Sequence, residues 1–459
     1  MNNDFDDEER QLVLDFEKTV LQGGMQFFDV DELEIIIDYY FEVNDTESLE
    51  RAVRYAEELY PNSTSIKLRR AHLMISKEQY ESALNMILKL RQQEPNNTDV
   101  AYSLGVAYSA VGESRKAIKC FLEAANDGWL LGRIYDNIAE EYFRLRNYDE
   151  AIRYYHLALD TDSYESTTLL NYTDTCCQAD KPEVAVDYLK TFVEEHPYSR
   201  DAWYCMGIAY REMEEFEKAS DALEYAIAID KTYLDAYFEL SECQELAEDI
   251  GGAVATLLRA YDYAQDKADI YRRVAYIYVR QDNVQSAMAY FRKAIDVNPD
   301  DAASYAALAL GYATLGDPSS AMPLVTKAIR LSPDNPEVLC SAAMVYDIQG
   351  NFEAASDAYE RMIITGKCTE PQCQRYTQFL YEHSVYDIMI DFALESLEIY
   401  PQHPFYSTYL AAAYFRTNRY NRAAQMMPFV SPGMLAEICP ELLSHPRLGA
   451  LVPPEEITD

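Results

Sequence analysis

Apolar side chains recur along almost the whole chain at the three- and four-residue spacing of amphipathic helices, and short polar turns break that pattern at regular intervals. Trp203, Met206, Gly207 and Tyr210 mark one helical face, and after a polar turn Ala219, Leu223 and Ala226 mark a second. The pair of faces returns every 34 residues. Ala83, Ala117, Ala151, Ala185, Ala219, Ala253, Ala287, Ala321 and Ala355 share that register, and Met389 and Ala423 continue it. Twelve residues before each stands a second column, Ala71, Gly105, Ala139, Thr173, Gly207, Ser241, Ala275, Ala309, Ala343, Thr377 and Ala411, every member small. Small side chains at a fixed register predict tight helix crossings, because axes nearer than about 8–10 Å leave no room for a branched residue.

Three residues beyond the small column comes a bulky one, which is Tyr at 108, 142, 210, 278, 312, 346 and 414. Pro61, Pro95, Pro197, Pro299, Pro333 and Pro401 lie on the same grid and predict where the second helix of each unit stops. The patterns Trp203-x2-Met206-Gly207-x2-Tyr210 with Ala219-x3-Leu223-x2-Ala226, and Leu104-Gly105-x2-Tyr108 with Ala117-x3-Phe121-x2-Ala124, resemble the tetratricopeptide repeat. That resemblance implies an all-α fold, a right-handed superhelical α-solenoid of antiparallel helix pairs whose first helices line a concave groove. It covers roughly residues 30 to 430, about eleven to twelve repeats whose stability is roughly a sum of repeat and interface terms. The expected organisation is an acidic N-terminal helix within 1–29, near residues 7 to 22 and broken by Gly23 and Gly24, and a tandem array over 30–437. Residues 438–459 are expected to form an extended C-terminal tail, whose final stretch, 446–459, is Pro-rich. Ile37 in the small column and Pro428 near the end mark degenerate first and last repeats that serve as caps.

Composition narrows the function. With 49% apolar residues in 459 the chain has ample material for a core, and 78 acidic against 39 basic groups give a formal charge of -39. Such a field repels phosphate backbones and anionic headgroups, so neither nucleic acid nor a membrane surface is an expected partner. Residues 1–60 alone carry 18 acidic against 4 basic groups. No export signal and no run of about 18 apolar residues is visible. Nine scattered cysteines without CxxC spacing argue against a disulfide framework or a zinc site and point to a reducing cytoplasm.

Catalytic chemistry finds no foothold. Walker-type GxxxxGK[ST], HExxH, GxSxG and EF-hand patterns are missing, so neither an enzyme nor a cofactor or metal is expected. His72, His156, His196, His383, His403 and His445 are dispersed over separate repeats and read as packing or surface residues. Cys176, beside Cys177, falls in the bulky column and Cys373 in the column of Trp203, which places them in the core. Trp203 reads as packing. Trp129, after Gly128, either covers an adjoining interface or stands partly exposed.

The groove carries the function. Under the resemblance, residues two, five, nine and twelve places into each unit face it. These are Asp99, Tyr102, Arg133, Asp136, Glu140, Phe143, Asp174, Asp201, Tyr204, Arg211, Asp235, Phe238 and Glu242 through the middle repeats. Carboxylates mixed with aromatics suit a protein or peptide segment bearing Lys or Arg, through charge-assisted hydrogen bonds and cation–π contacts. Arg272, Tyr276 and Arg280, with Arg273, form a basic patch fit either for a partner carboxylate or for ion pairs with neighbouring repeats. Ala303, Ala306, Leu310, Ala313, Cys340 and Met344 make a later stretch apolar, expected to be covered by a partner or by the chain's own Leu448, Leu451 and Val452. The Lys and Asn of the clamp by which some of these repeats grip chaperone tails are absent, with Leu68 and His72, or Tyr102 and Val106, in their places. The leading expectation is a non-catalytic scaffold or adaptor. A regulatory receptor that responds to a small ligand or peptide is the second, and a non-catalytic subunit of an enzyme complex the third.

Overall fold

A few local devices recur where the repeats start and stop their helices. The computed structural model describes residues 7–21, 27–127, 131–161 and 166–451, which form helices and turns and no strand. Gly23, Gly24, Gly128, Trp129 and Val452 lie outside the described residues. Two residues past five of the six boundary prolines a short polar side chain opens the next first helix, and past Pro401 His403 does so. Ser63 accepts from the Ile66 amide, Asn97 from Val100, Ser199 from Ala202 and Asn335 from Val338, which satisfies donors the helix start would leave unpaired. The prolines themselves follow the last helical residue by two, as Pro197 follows Glu195 and Pro299 follows Val297.

First helices end with equal regularity. Asn44, Glu78, Gly112, Arg146, Asp180, Glu214, Glu248, Asp282, Gly316, Gly350, Ser384 and Asn418 stand 34 residues apart and all have left-handed backbone, φ between 52° and 78°. After each, an amide reaches back to a carbonyl in the bulky column: Glu215 N–H donates to Tyr210 O at 2.9 Å, and Arg419 N–H to Tyr414 O at 2.7 Å. The preceding amide bonds the next carbonyl, as Glu214 N–H does Arg211 O at 2.8 Å. This is the Schellman turn, which closes a helix by turning one residue left-handed.

The turn folds the second helix back on the first. Arg200–Glu212 pairs with Phe216–Ile229, Thr98–Ala110 with Ser114–Ala124, and Ala302–Thr314 with Pro318–Leu331. The small column sits at the crossing and is buried throughout. A Cβ added to Gly207 would lie 2.5 Å from Leu223 Cγ, and one on Gly105 2.5 Å from the Phe121 ring. Beside the crossing, Lys116 lies over the Tyr108 ring at 5.5 Å, Lys218 over Tyr210 at 5.5 Å and Arg422 over Tyr414 at 5.8 Å, so the bulky column is held from its polar side as well.

The helices group into two compact units, Met1–Asp249 and Ile250–Asp459. In the first, helix Asp7–Leu21 lays Val13 and Phe16 into a cluster with Phe28, Ile36 and Ile37. Phe16 meets Phe28 and Tyr55 edge-on at 5.9 and 5.5 Å, so the first repeat's outer face is covered. In the second, the segment expected to be an extended tail instead forms helix Pro440–Leu443 and a turn Gly449–Leu451. Leu442 and Leu448 are buried against the last repeat, and Arg416 pairs with Glu441 at 3.0 Å. Pro440 starts the short helix of this segment, as Pro432 starts the one before it, at a position where the lost N–H has no partner to lose. Among the described residues no helix is long and apolar enough to cross a membrane.

Two changes test these devices. Gly207→Val is expected to cost about 1–3 kcal/mol in chemical denaturation by forcing the crossing apart, whereas Lys218→Gln, which removes an exposed pair with Glu215, should change stability by less than about 0.5 kcal/mol. Glu214→Gly relieves a left-handed non-glycine residue and should stabilise by up to about 1 kcal/mol; a loss of melting temperature would contradict that account.

Candidate functional site

Four consecutive first helices of the first unit, Val30–Glu42, Thr64–Ser76, Thr98–Ala110 and Leu131–Arg144, present side chains to one groove of about 520 Å³. Asp99 and Tyr102 line it as expected, with Arg133; Glu34 and Asp38, at places five and nine of the first unit, line it too, and so do two residues outside the groove positions, Arg69 and Ser103. Arg69 spans the first two repeats, its Nε and Nη2 donating to the two Asp38 oxygens at 3.1 and 2.7 Å and Nη2 meeting Glu34 at 3.2 Å. Such a fork fixes the groove wall as well as neutralising it. His72 Nε2 shares a proton with Ser103 Oγ at 3.0 Å, a link from the second repeat to the third. The ring keeps some solvent contact in the open groove, yet the protein atoms crowding it push its pKa down to about 4, helped by Arg69 and Arg133. Histidine here is a neutral hydrogen-bonding group.

Further along the same unit the face is polar and linked from repeat to repeat. Asn137 donates to the Tyr102 hydroxyl at 3.3 Å, and Arg144 donates to Ser109 Oγ and Glu141 at 2.7 Å each. Asp136 and Glu140 are half-buried on that helix. Tyr204 packs on Tyr233 at 5.1 Å, and the Arg200 guanidinium covers the other ring at 4.7 Å while bonding Asp230. Arg211 is held by Glu239 at 2.7 Å and Glu242 at 3.5 Å, and burial raises the Glu239 carboxyl above its ordinary range despite that partner. Asp235 and Glu242 stay exposed, with Phe238 and Asp201 half-buried. Positions two, five, nine and twelve thus found part of the face. Arg69 and Glu239, each six places into its unit, escaped them, and their signal was a charge beside the lining column.

The second unit fills the equivalent face with its own side chains. Arg272, expected in a basic patch, is bound by Asp269 at 2.6 Å and by buried Asp301 at 3.2 Å. Tyr276 donates to Glu337, which lies two repeats away, on the first helix of the repeat beyond that of Ala302–Thr314. Of the two readings of the patch, ion pairing between repeats is the one present; Arg280 is exposed at the helix end. The apolar strip is largely covered: Ala306, Ala313 and Cys340 are buried, and Leu310 and Met344 are half-buried. Leu448 is buried in the core cluster that includes the last repeat, and Leu451 is half exposed.

Trp203 packs, as expected, stacking on Tyr225 at 4.6 Å and donating to Pro197 O at 3.0 Å. Burial raises the pKa of all nine thiols, to about 12 for Cys176 and Cys177. Thiols so held are protonated and poor nucleophiles near neutral pH. No group of three or more His, Cys, Asp or Glu among the described residues is placed to hold a metal ion.

The lowered His72 pKa fixes a sign. Between pH 6.5 and 4 the unfolded chain takes the proton and the folded one does not, so stability is fully present above 6.5 and declines as pH falls towards 4. His72→Gln is expected to flatten that part of the pH–stability curve, and NMR titration of the ring should give a midpoint well below 6.

Models of the tetratricopeptide repeat match residues 132–164, 247–306 and 272–336. TPR repeat-containing protein YpiA of Bacillus subtilis (strain 168) is 21% identical over 249 residues, which are 46% of this chain and 58% of that protein. The chain thus spans little more than half the length of that relative. Among solved structures, yeast Tom70 aligns over 91% of this chain and 97% of its own at 14% identity and a TM-score of 0.47. The Cut9–Hcn1 hetero-tetramer of the APC/C aligns over 88% and 94% at 13% identity and a TM-score of 0.36. Helix pairs on a 34-residue period, closed over small crossing residues and matched by these repeat models, make this chain a tetratricopeptide-repeat protein, with the fold of a protein-interaction scaffold.

Proposed function

We propose that this protein is a non-catalytic scaffold that holds an extended, Lys- or Arg-bearing segment of a partner protein in the first-helix groove of its first unit. The observation behind this reading is the lining of that groove. Glu34, Asp38, Glu42 and Asp99 face two guanidinium groups, Arg69 and Arg133, beside the rings of Phe41 and Tyr102. Four carboxylates against two guanidinium groups make the lining net acidic, and the rings make it aromatic. A chain of formal charge -39 adds long-range attraction for basic segments. Neutral His72 and Ser103 on the groove wall offer hydrogen bonds to a peptide backbone without adding charge.

A fluorescent Lys-rich peptide, followed by anisotropy, checks the reading. Asp99→Asn with Tyr102→Ala should weaken it about tenfold, and affinity should fall with salt. The exposed Asp391→Asn, in the second unit, serves as the control for unspecific attraction. Equal weakening in that control, or indifference to the groove substitutions, rejects the site.

A further inference from the structure

The second helices of the first unit carry a cavity that the scaffold reading leaves unused. It measures about 940 Å³ and lies between helices Tyr148–Leu159 and Pro182–Glu195. Its floor is aromatic: Tyr172, with its hydroxyl donating to Val184 O at 3.4 Å, meets Tyr188 edge-on at 5.3 Å, and Tyr188 meets His156 at 4.9 Å and Phe192 at 6.0 Å. Its rim is acidic. Asp149, Asp160 and Glu195 face one strong base, Arg153, and that base is turned to Glu150 at 3.0 Å and to the Tyr154 ring at 5.4 Å. Lys181 occupies Asp149 at 2.6 Å. Asp160 has only His156, at 3.9 Å, and Glu195 stands exposed at the mouth with no pairing side chain among the described residues.

We infer that this cavity is a second binding site, for a guanidinium group carried on a partner segment. Planar guanidinium is the cation that both stacks on aromatic faces and forks onto carboxylates, so the ring floor and the Asp160–Glu195 rim are complementary to its two surfaces. The volume lies within the range of ligand pockets and exceeds what one side chain fills. Glu195 and His196 also line an adjoining shallow depression with Pro197 and Tyr198, a residue 85% exposed. That depression gives the flanking residues of an extended segment a surface to lie on. The site lies on helices Tyr148–Leu159, Ser166–Gln178 and Pro182–Glu195 and uses none of the residues that line the first-helix groove, so each can fail without the other.

Ligand-observed NMR on the full chain, with arginine amide and with a Gly-flanked single-Arg peptide as probes and their citrulline counterparts as neutral isosteres, decides the matter. The Arg probes are expected to bind and the citrulline ones at least tenfold more weakly. The double change Asp160→Asn and Glu195→Gln, both at exposed positions that carry no core contact, should weaken the Arg probes about tenfold with the circular dichroism spectrum unchanged. Binding of the peptide alone, or more tightly than the amide, supports a partner segment as the source. Tighter binding of the free amide assigns a small cation instead and overturns the segment. Equal binding of citrulline, no binding of either Arg probe, or loss in Tyr102→Ala rather than in the rim variant overturns the site.

Discussion

Two helices of a pair can approach closely only where one of them has almost no side chain, and this steric condition underlies everything else in the molecule. At Gly207 and Gly105 even a methyl group would strike Leu223 or Phe121. Close approach brings the second helix against the flank of the first and leaves the first helix's other flank without a cover from its own pair. That flank must be satisfied by neighbouring repeats or by another molecule. In the first unit the result is a groove; in the second, side chains such as Arg272 and Tyr276 reach to later repeats and occupy the space themselves.

The crossing column was legible in the sequence because it admits few residue types, and a period of 34 shows through when Ala, Gly, Ser and Thr alternate in it. The left-handed column was not. Only Gly112, Gly316 and Gly350 among its twelve members are glycine, and Glu, Asp, Asn, Arg and Ser at the others look like ordinary turn residues. Their conformation is imposed by the two back-reaching amides, whose bonds outweigh the roughly 1–2 kcal/mol cost of the left-handed region. The C-terminal segment misled for a related reason. Its proline content points to extension, whereas Pro440 sits at a helix start, the one helical position that tolerates it.

Of the groove, the lining register was readable and the pairings were not. Asp99 and Tyr102 face the cavity where the family resemblance put them, but the charge of a groove is set by what remains after internal pairing. Arg69 with Asp38, and Arg211 with Glu239, join residues 31 and 28 apart, from unlike places in successive units. A register that treats each unit alone cannot see them. The second-helix cavity is further from view, since its floor is assembled from Tyr172 of one helix and Tyr188 and Phe192 of the next, in columns otherwise occupied by routine packing.

The bond between Tyr276 and Glu337 joins residues 61 apart and skips a whole repeat. In a stack where each hairpin touches only its immediate neighbours, terminal hairpins fray one at a time and each loss leaves the remainder unchanged. A tie from one hairpin to the next but one couples the three it encloses. Fraying inward from either end of the second unit therefore meets, between Lys267 and Ile348, hairpins whose openings are linked by the roughly 1–3 kcal/mol of one hydrogen bond to a carboxylate.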